Sequence, residues 1–130
     1  PPGYRVQFGG PAEQDRPRLP DGRLQGKRVA NNASLASPDV IAYHVALLQD
    51  LAQAYPQVDG FRVDWPEYPP YFLDDAFLDF STHAERAAAG HGMDFGRMRR
   101  DSDLLYKKLH GGLTDDLLRQ RGSQALLRLF

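Results

Sequence analysis

Arg62 and Asp64 stand two residues apart in the string VDGFRVDWPEYPPY, residues 58–71. In an extended chain the side chains alternate, so Gly60, Arg62 and Asp64 share one face while Phe61 and Val63 share the other. The strand rise then sets their Cα atoms roughly 6.5 Å apart. A guanidinium that close favours the charged form of a carboxyl, so Asp64 is expected to be ionised near neutral pH. An ionised carboxylate suits a nucleophile, a base or a cation-stabilising charge, and it does not suit a general acid. Glu67, three residues on, is the nearest local group for that second role. Paired carboxylates are the apparatus of glycoside hydrolysis, with about 5–5.5 Å between them for retention and about 6.5–9.5 Å for inversion. Sequence spacing leaves both outcomes open.

Trp65, Tyr68, Tyr71 and Phe72 follow at once, interleaved with Pro66, Pro69 and Pro70. Prolines stiffen a segment without needing backbone donors. Aromatic rings with polar tips make platforms for ligands that are apolar on one face and hydroxylated at the rim, as sugars are. Trp65, Tyr68 and Tyr71 are therefore candidate substrate contacts, although Trp65 and Tyr68 serve equally well as core, and Phe72 reads as core. Asn31, Asn32 and Ser34 precede a helix and could hold sugar hydroxyls through Asn32, or simply cap the loop.

The elements that must position these groups are legible in part. Tyr4–Phe8 alternates apolar and polar and stops at Gly9-Gly10-Pro11, which predicts a short strand. Residues 9–30 form a long Pro/Gly-rich loop with a turn at Leu19-Pro20-Asp21-Gly22. Ser37, Pro38 and Asp39 form a helix start, and Val40, Ile41, His44, Leu47, Leu48, Leu51 and Tyr55 recur at helical spacing up to Pro56. A strand at Phe61–Asp64 follows a tight loop at Asp59-Gly60. Together these predict a β-loop-α-β unit of a parallel α/β sheet. Three helices are expected downstream: one capped by Ser81 and closed by Gly90, one capped by Asp94 and running to His110 before Gly111-Gly112, and one capped by Thr114 with Leu117, Leu118, Leu126, Leu127 and Phe130 on its apolar face.

The segment ANNASLASPDVIAYHVALLQDLAQAYPQVDGFRVDWPEYPPY resembles the third-helix and fourth-strand region of glycosyl-hydrolase-like TIM-barrel proteins of the family-10-like type. The likeness spans roughly residues 29–72, about a third of the chain. The DGFRVD string is also similar to the α-amylase strand in which the last aspartate is the nucleophile and the arginine two before it supports its ionisation. Trp65-Pro66-Glu67 departs from the amylase pattern straight after Asp64. The resemblance implies a fragment of a (β/α)8 barrel with a helical C-terminal segment. Residues 1–80 would hold the barrel unit and site loop and residues 81–130 the remaining helices, with Asp64 as nucleophile or base and Arg62 as its support.

The rest of the composition narrows the field. The chain has 130 residues, 42% hydrophobic, with a formal net charge of −1 and no cysteine. That size allows one domain. It excludes disulfides and thiolate chemistry, and no apolar run approaches the ~18 residues of a membrane span. His44, His83, His91 and His110 lack metal-ligand spacing, so neither metal nor cofactor is expected, and Asp59 suits a turn. Arg97, Arg99, Arg100, Lys107 and Lys108 alternate with Asp94, Asp101 and Asp103, which reads as a solvated helix face rather than a nucleic-acid surface. The start at Pro1-Pro2-Gly3 and the end at Leu129-Phe130 suggest a piece of a larger protein, whose location they leave open. The expected function is a glycoside-hydrolase-like activity on an oligo- or polysaccharide, completed by the rest of a barrel or by self-association. The alternatives are a carbohydrate-binding barrel without catalysis and a helical interaction module centred on residues 81–130.

Overall fold

Ser37 starts the first long helix as its sequence demands. Its hydroxyl accepts from the Val40 N–H at 3.3 Å, Pro38 fills the first turn, and Asp39 faces the positive end of the dipole. The result is α1, Pro38–Ala54, ended at Tyr55 because the residue before Pro56 disfavours helix. The computed structural model describes residues 11–25, 32–63, 68, 72–122 and 124–127.

The other helices repeat this logic. Ser81 caps α2, Thr82–Gly90, by accepting from the Ala84 N–H at 3.3 Å. Gly92, not Gly90, makes the reversal. Gly92 has φ +69°, its N–H reaches Ala89 O at 3.1 Å, and the Met93 N–H reaches Ala88 O at 3.0 Å. That is a Schellman closure, which needs the left-handed conformation that glycine adopts without steric cost. Asp94 caps α3, Phe95–Gly112, with the Arg97 N–H at 2.8 Å. Thr114 caps α4, Asp115–Arg121, which ends at Gly122, and α5 is Gln124–Leu127. Short 3-10 turns occupy Glu13–Asp15 and Leu73–Phe77.

The core is small and is built as much from loops as from helices. Leu19, Phe77 and Tyr106 are buried together, with Leu73, Leu78 and Leu109 packed on them. Phe77 meets Tyr106 edge to face at 5.2 Å and 84°, and Phe80 lies against Phe95 at 5.6 Å. The turn at Leu19–Gly22 forms as its residues predict, with the Gly22 N–H on Leu19 O at 2.9 Å, and it docks on α3 where Arg99 Nε donates to Pro20 O at 2.6 Å.

The expected α/β barrel fragment is not found. Among the described residues there is no strand and no sheet, only an isolated antiparallel bridge between Arg18 and Leu24. Residues 58–63 form no ladder, and Phe61 and Val63, expected beneath helices, are 45% and 68% exposed. Alternation marks a chain that could be a strand, but a strand exists only where a neighbour supplies its hydrogen bonds. The other predicted strand, Tyr4–Phe8, lies outside the described residues.

Candidate functional site

Four of the seven residues proposed from sequence for a sugar site, Asp64, Trp65, Glu67 and Tyr71, lie outside the described residues. Arg62 sits in the exposed, ladder-free segment after α1. Tyr68 is half-buried, and its hydroxyl donates to Ala33 O at 3.3 Å and accepts from the Leu35 N–H at 3.1 Å. Burial, reinforced by the Asp79 carboxylate, pushes that phenol well above its ordinary range. The Asn32 amide donates to Gln25 Oε1 at 3.5 Å, and the Gln25 amide in turn hydrogen-bonds Asp75 Oδ1. Tyr68 and Asn32 thus both fasten the loop that leads into α1.

Around that loop two helix caps are tied to carboxylates. Ser37 Oγ donates to Asp15 Oδ1 at 2.6 Å. His83 Nε2 lies 3.2 Å from the same oxygen but is not aligned for a hydrogen bond. Asp79 accepts from the Arg18 N–H, the Ser81 N–H, Ser81 Oγ and Ser34 Oγ at 2.6–3.1 Å. A serine nucleophile needs its proton directed to a positioned base and its oxygen free to attack. Here Ser37 and Ser81 spend their oxygens on helix N–H groups, and Ser34 Oγ accepts from the Ala36 N–H at 3.3 Å. The cluster holds three chain segments together, and each of its serine oxygens is engaged by a backbone N–H. A second cluster joins Asp74 Oδ1 to Tyr106 Oη at 3.0 Å and to His110 Nε2 at 2.9 Å. Among the described residues no group of three or more His, Cys, Asp or Glu could hold a metal ion, and no helix is long and apolar enough to cross a membrane.

The feature that the internal packing does not account for is α1. Its first turn is anchored through Ser37 and Val40, which is 1% exposed, and Tyr43, His44 and Leu51 are half-buried further along. No other element among the described residues packs along its length. Ile41, Val45, Leu48 and Tyr55 are 51%, 48%, 37% and 52% exposed, and Ala52 lies with them. Their spacing of 4, 3, 4 and 3 residues puts them on one stripe of a 3.6-residue helix. Leu47, on the flank nearer Val40, is also 40% exposed. Sequence periodicity finds Ile41, Leu47, Leu48 and Tyr55 but passes over Val45 and Ala52 and does not divide the exposed stripe from the side of Val40. The signal that separates the stripes is the heptad-like 4-3-4-3 subset, which runs beside the anchored Val40 and away from it.

Comparison with protein-family models, with characterised proteins and with solved structures finds no match. With the helical fold, this overturns the likeness to glycosyl-hydrolase-like TIM-barrel proteins: neither the barrel nor a family relationship is found, and nothing supports a glycosidase.

Proposed function

We propose that this chain is a helical protein-interaction module whose docking element is α1. The observation that carries this reading is a 17-residue helix whose apolar stripe is left open. A helix of that length is marginal in water on its own, and most helices in proteins are held by packing of the apolar face. The exposure of Ile41, Val45, Leu48 and Tyr55 leaves the stripe free to be covered by another polypeptide. Ile41, Val45 and Leu48 have the i, i+4, i+7 spacing by which an amphipathic helix engages a protein groove or a second helix. This reading puts the docking element at residues 38–55, where the sequence alone centred an interaction module on residues 81–130.

The test is to compare the two sides of α1 in the dilute chain. Ile41→Gln, Val45→Gln and Leu48→Gln are expected to unfold in urea within about 0.5 kcal/mol of the parent, as exposed substitutions do. Val40→Ala, at the anchored turn, is expected to cost roughly 2 kcal/mol. Equal losses on both sides would mean that the stripe is packed within the chain, and the interaction reading would fall. A saturable change in Trp65 fluorescence with an oligosaccharide, abolished by Asp64→Asn, would also count against it and in favour of a sugar site.

A further inference from the structure

Asp-Gly occurs twice in the chain, at Asp21-Gly22 and at Asp59-Gly60. Both aspartates lie at the surface, so exposure does not tell them apart. Their hydrogen bonding does. From it we propose that Asp59-Gly60 is a site of spontaneous backbone modification, aspartate to isoaspartate, while the fold protects Asp21-Gly22.

The dipeptide sets the chemistry. The backbone nitrogen after an aspartate can close a five-membered ring on the side-chain Cγ, and glycine puts no side chain in the way of that approach. The Gly60 nitrogen bonds to Asp59 Cγ, its proton and one carboxyl oxygen leave as water, and a succinimide closes. Water then opens the ring at either carbonyl. Breaking the new N–Cγ bond restores aspartate. Breaking the original bond from the Asp59 carbonyl carbon to the Gly60 nitrogen leaves the chain running through Cγ, one methylene longer, with a free α-carboxylate. One water leaves and one returns, so the step needs no oxidant, reductant or enzyme.

The ring can close only where the carboxyl can turn, the glycine N–H is uncommitted and the backbone between them can rotate. At Asp21-Gly22 all three are taken. Asp21 Oδ1 accepts from the Arg23 N–H at 2.9 Å, and Oδ2 accepts from Arg23 Nε at 2.6 Å. The Gly22 N–H donates to Leu19 O at 2.9 Å, and Gly22 O accepts from Arg18 Nη1 at 3.0 Å. Gly22 is held at φ +88° with the Arg99 guanidinium 3.3 Å from where a Cβ would stand. Burial works against ionisation of Asp21, but the Arg23 N–H and guanidinium outweigh it and hold the carboxyl below its ordinary value. The neutral acid, from which water departs, is made scarcer there.

At Asp59-Gly60 none of these restraints is present. The last backbone bond before it joins the Val58 N–H to Tyr55 O at 3.2 Å. Among the described residues, neither the Asp59 carboxylate nor the Gly60 N–H has a hydrogen-bond or ion-pair partner. Residues 52–63 are exposed without a break, and a Cβ built on Gly60 meets nothing within 4 Å. A ladder at residues 58–63 would have fixed this backbone; without one, the two reacting atoms are free to meet.

The test is to hold the full chain folded at neutral pH and body temperature for weeks and then digest it with trypsin. Cleavage after arginine places the two sites in separate peptides, residues 19–23 and 29–62. Isoaspartate in each is read by methyl transfer from labelled S-adenosylmethionine with an isoaspartate-specific methyltransferase. It is expected to accumulate at Asp59 at least about tenfold faster than at Asp21, the factor set by giving up one charge-assisted hydrogen bond at the latter. In concentrated urea the two rates should converge. Gly60→Ala fits the open space and is expected to slow the reaction at Asp59 severalfold by crowding the nitrogen, with the far-UV helix signal kept. Comparable rates at the two sites in the folded chain would overturn the protection of Asp21. No isoaspartate at Asp59 when urea yields it at both sites, or a Gly60→Ala chain that is modified as fast as the parent, would overturn the site itself.

Discussion

At the residue scale, Tyr68 shows how a side chain suited to ligand binding is consumed by the fold. Its hydroxyl is committed to the backbone at Ala33 and Leu35, and burial followed by the nearby Asp79 charge makes the phenolate unfavourable. The consequence for pH follows from linkage. The folded chain holds the Tyr68 proton above the ordinary tyrosine value of 10.0, while the unfolded chain releases it there. Stability from this group is therefore fully present below about pH 10 and declines as pH rises beyond it. Tyr106 is shifted the same way, by burial and by its bond to Asp74, so it contributes to the same decline. Urea unfolding at pH 9, 10 and 11 is expected to show a shallower alkaline loss in Tyr68→Phe than in the parent. An identical slope would mean that the phenol is not sequestered.

At the element scale, helix starts and helix stops differ in how far the local sequence decides them. Ser37, Ser81, Asp94 and Thr114 all cap as their chemistry predicts, because a cap is a bond between residues three apart. The stops are less local. Gly111-Gly112 reads as the end of α3, yet the helix includes both glycines and closes on the Leu113 N–H to Leu109 O bond at 2.8 Å. A methyl group built on Gly111 meets nothing within 4 Å, and its φ is not in the left-handed region. Gly111→Ala is therefore expected to stabilise the chain by about 0.5–1 kcal/mol, since glycine loses the most freedom on entering a helix. A drop in melting temperature would refute this. The barrel reading failed for the same reason as the stops, on a larger scale. Residues 58–63 have the alternation of a strand, but the hydrogen-bonding partner that would make them one is a property of distant sequence. The apolar stripe of α1 was half legible: periodicity picks out Ile41, Leu48 and Tyr55, and only the structure shows that they and Val45 are left exposed. Asp64, Trp65 and Glu67 carried most of the sequence argument for chemistry, and nothing in the described structure bears on them.

At the scale of the molecule, stability rests on a few residues that come from far apart. Leu19 arrives from a loop, Phe77 from a 3-10 turn and Tyr106 from α3, and the Leu73, Leu78 and Leu109 side chains close around them. Phe77 is 7% exposed and lies against the Tyr106 ring. Truncating Phe77→Ala removes both burial and that ring contact, and a cost of about 3–5 kcal/mol is expected in equilibrium unfolding. In a domain whose whole stability is of the order of 5–15 kcal/mol, that is enough to unfold a large share of the population near body temperature. A cost below about 1 kcal/mol would mean that the central cluster does not hold the fold together.

The sequence separations within that cluster also set an order of assembly. Arg18 takes the Asp79 carboxylate 61 residues away, and Pro20 gives its carbonyl to Arg99, 79 residues away. Helices form in about a microsecond or less, but closing loops of this length has to wait for the distant segment to exist. On a ribosome the wait between the emergence of Leu19 and that of Tyr106 is on the order of ten seconds. For more than half of that interval α1 is already synthesised, its apolar stripe open and its N-terminal anchor not yet secured by the core. The nascent chain therefore presents an exposed apolar helix well before it has a fold to attach it to.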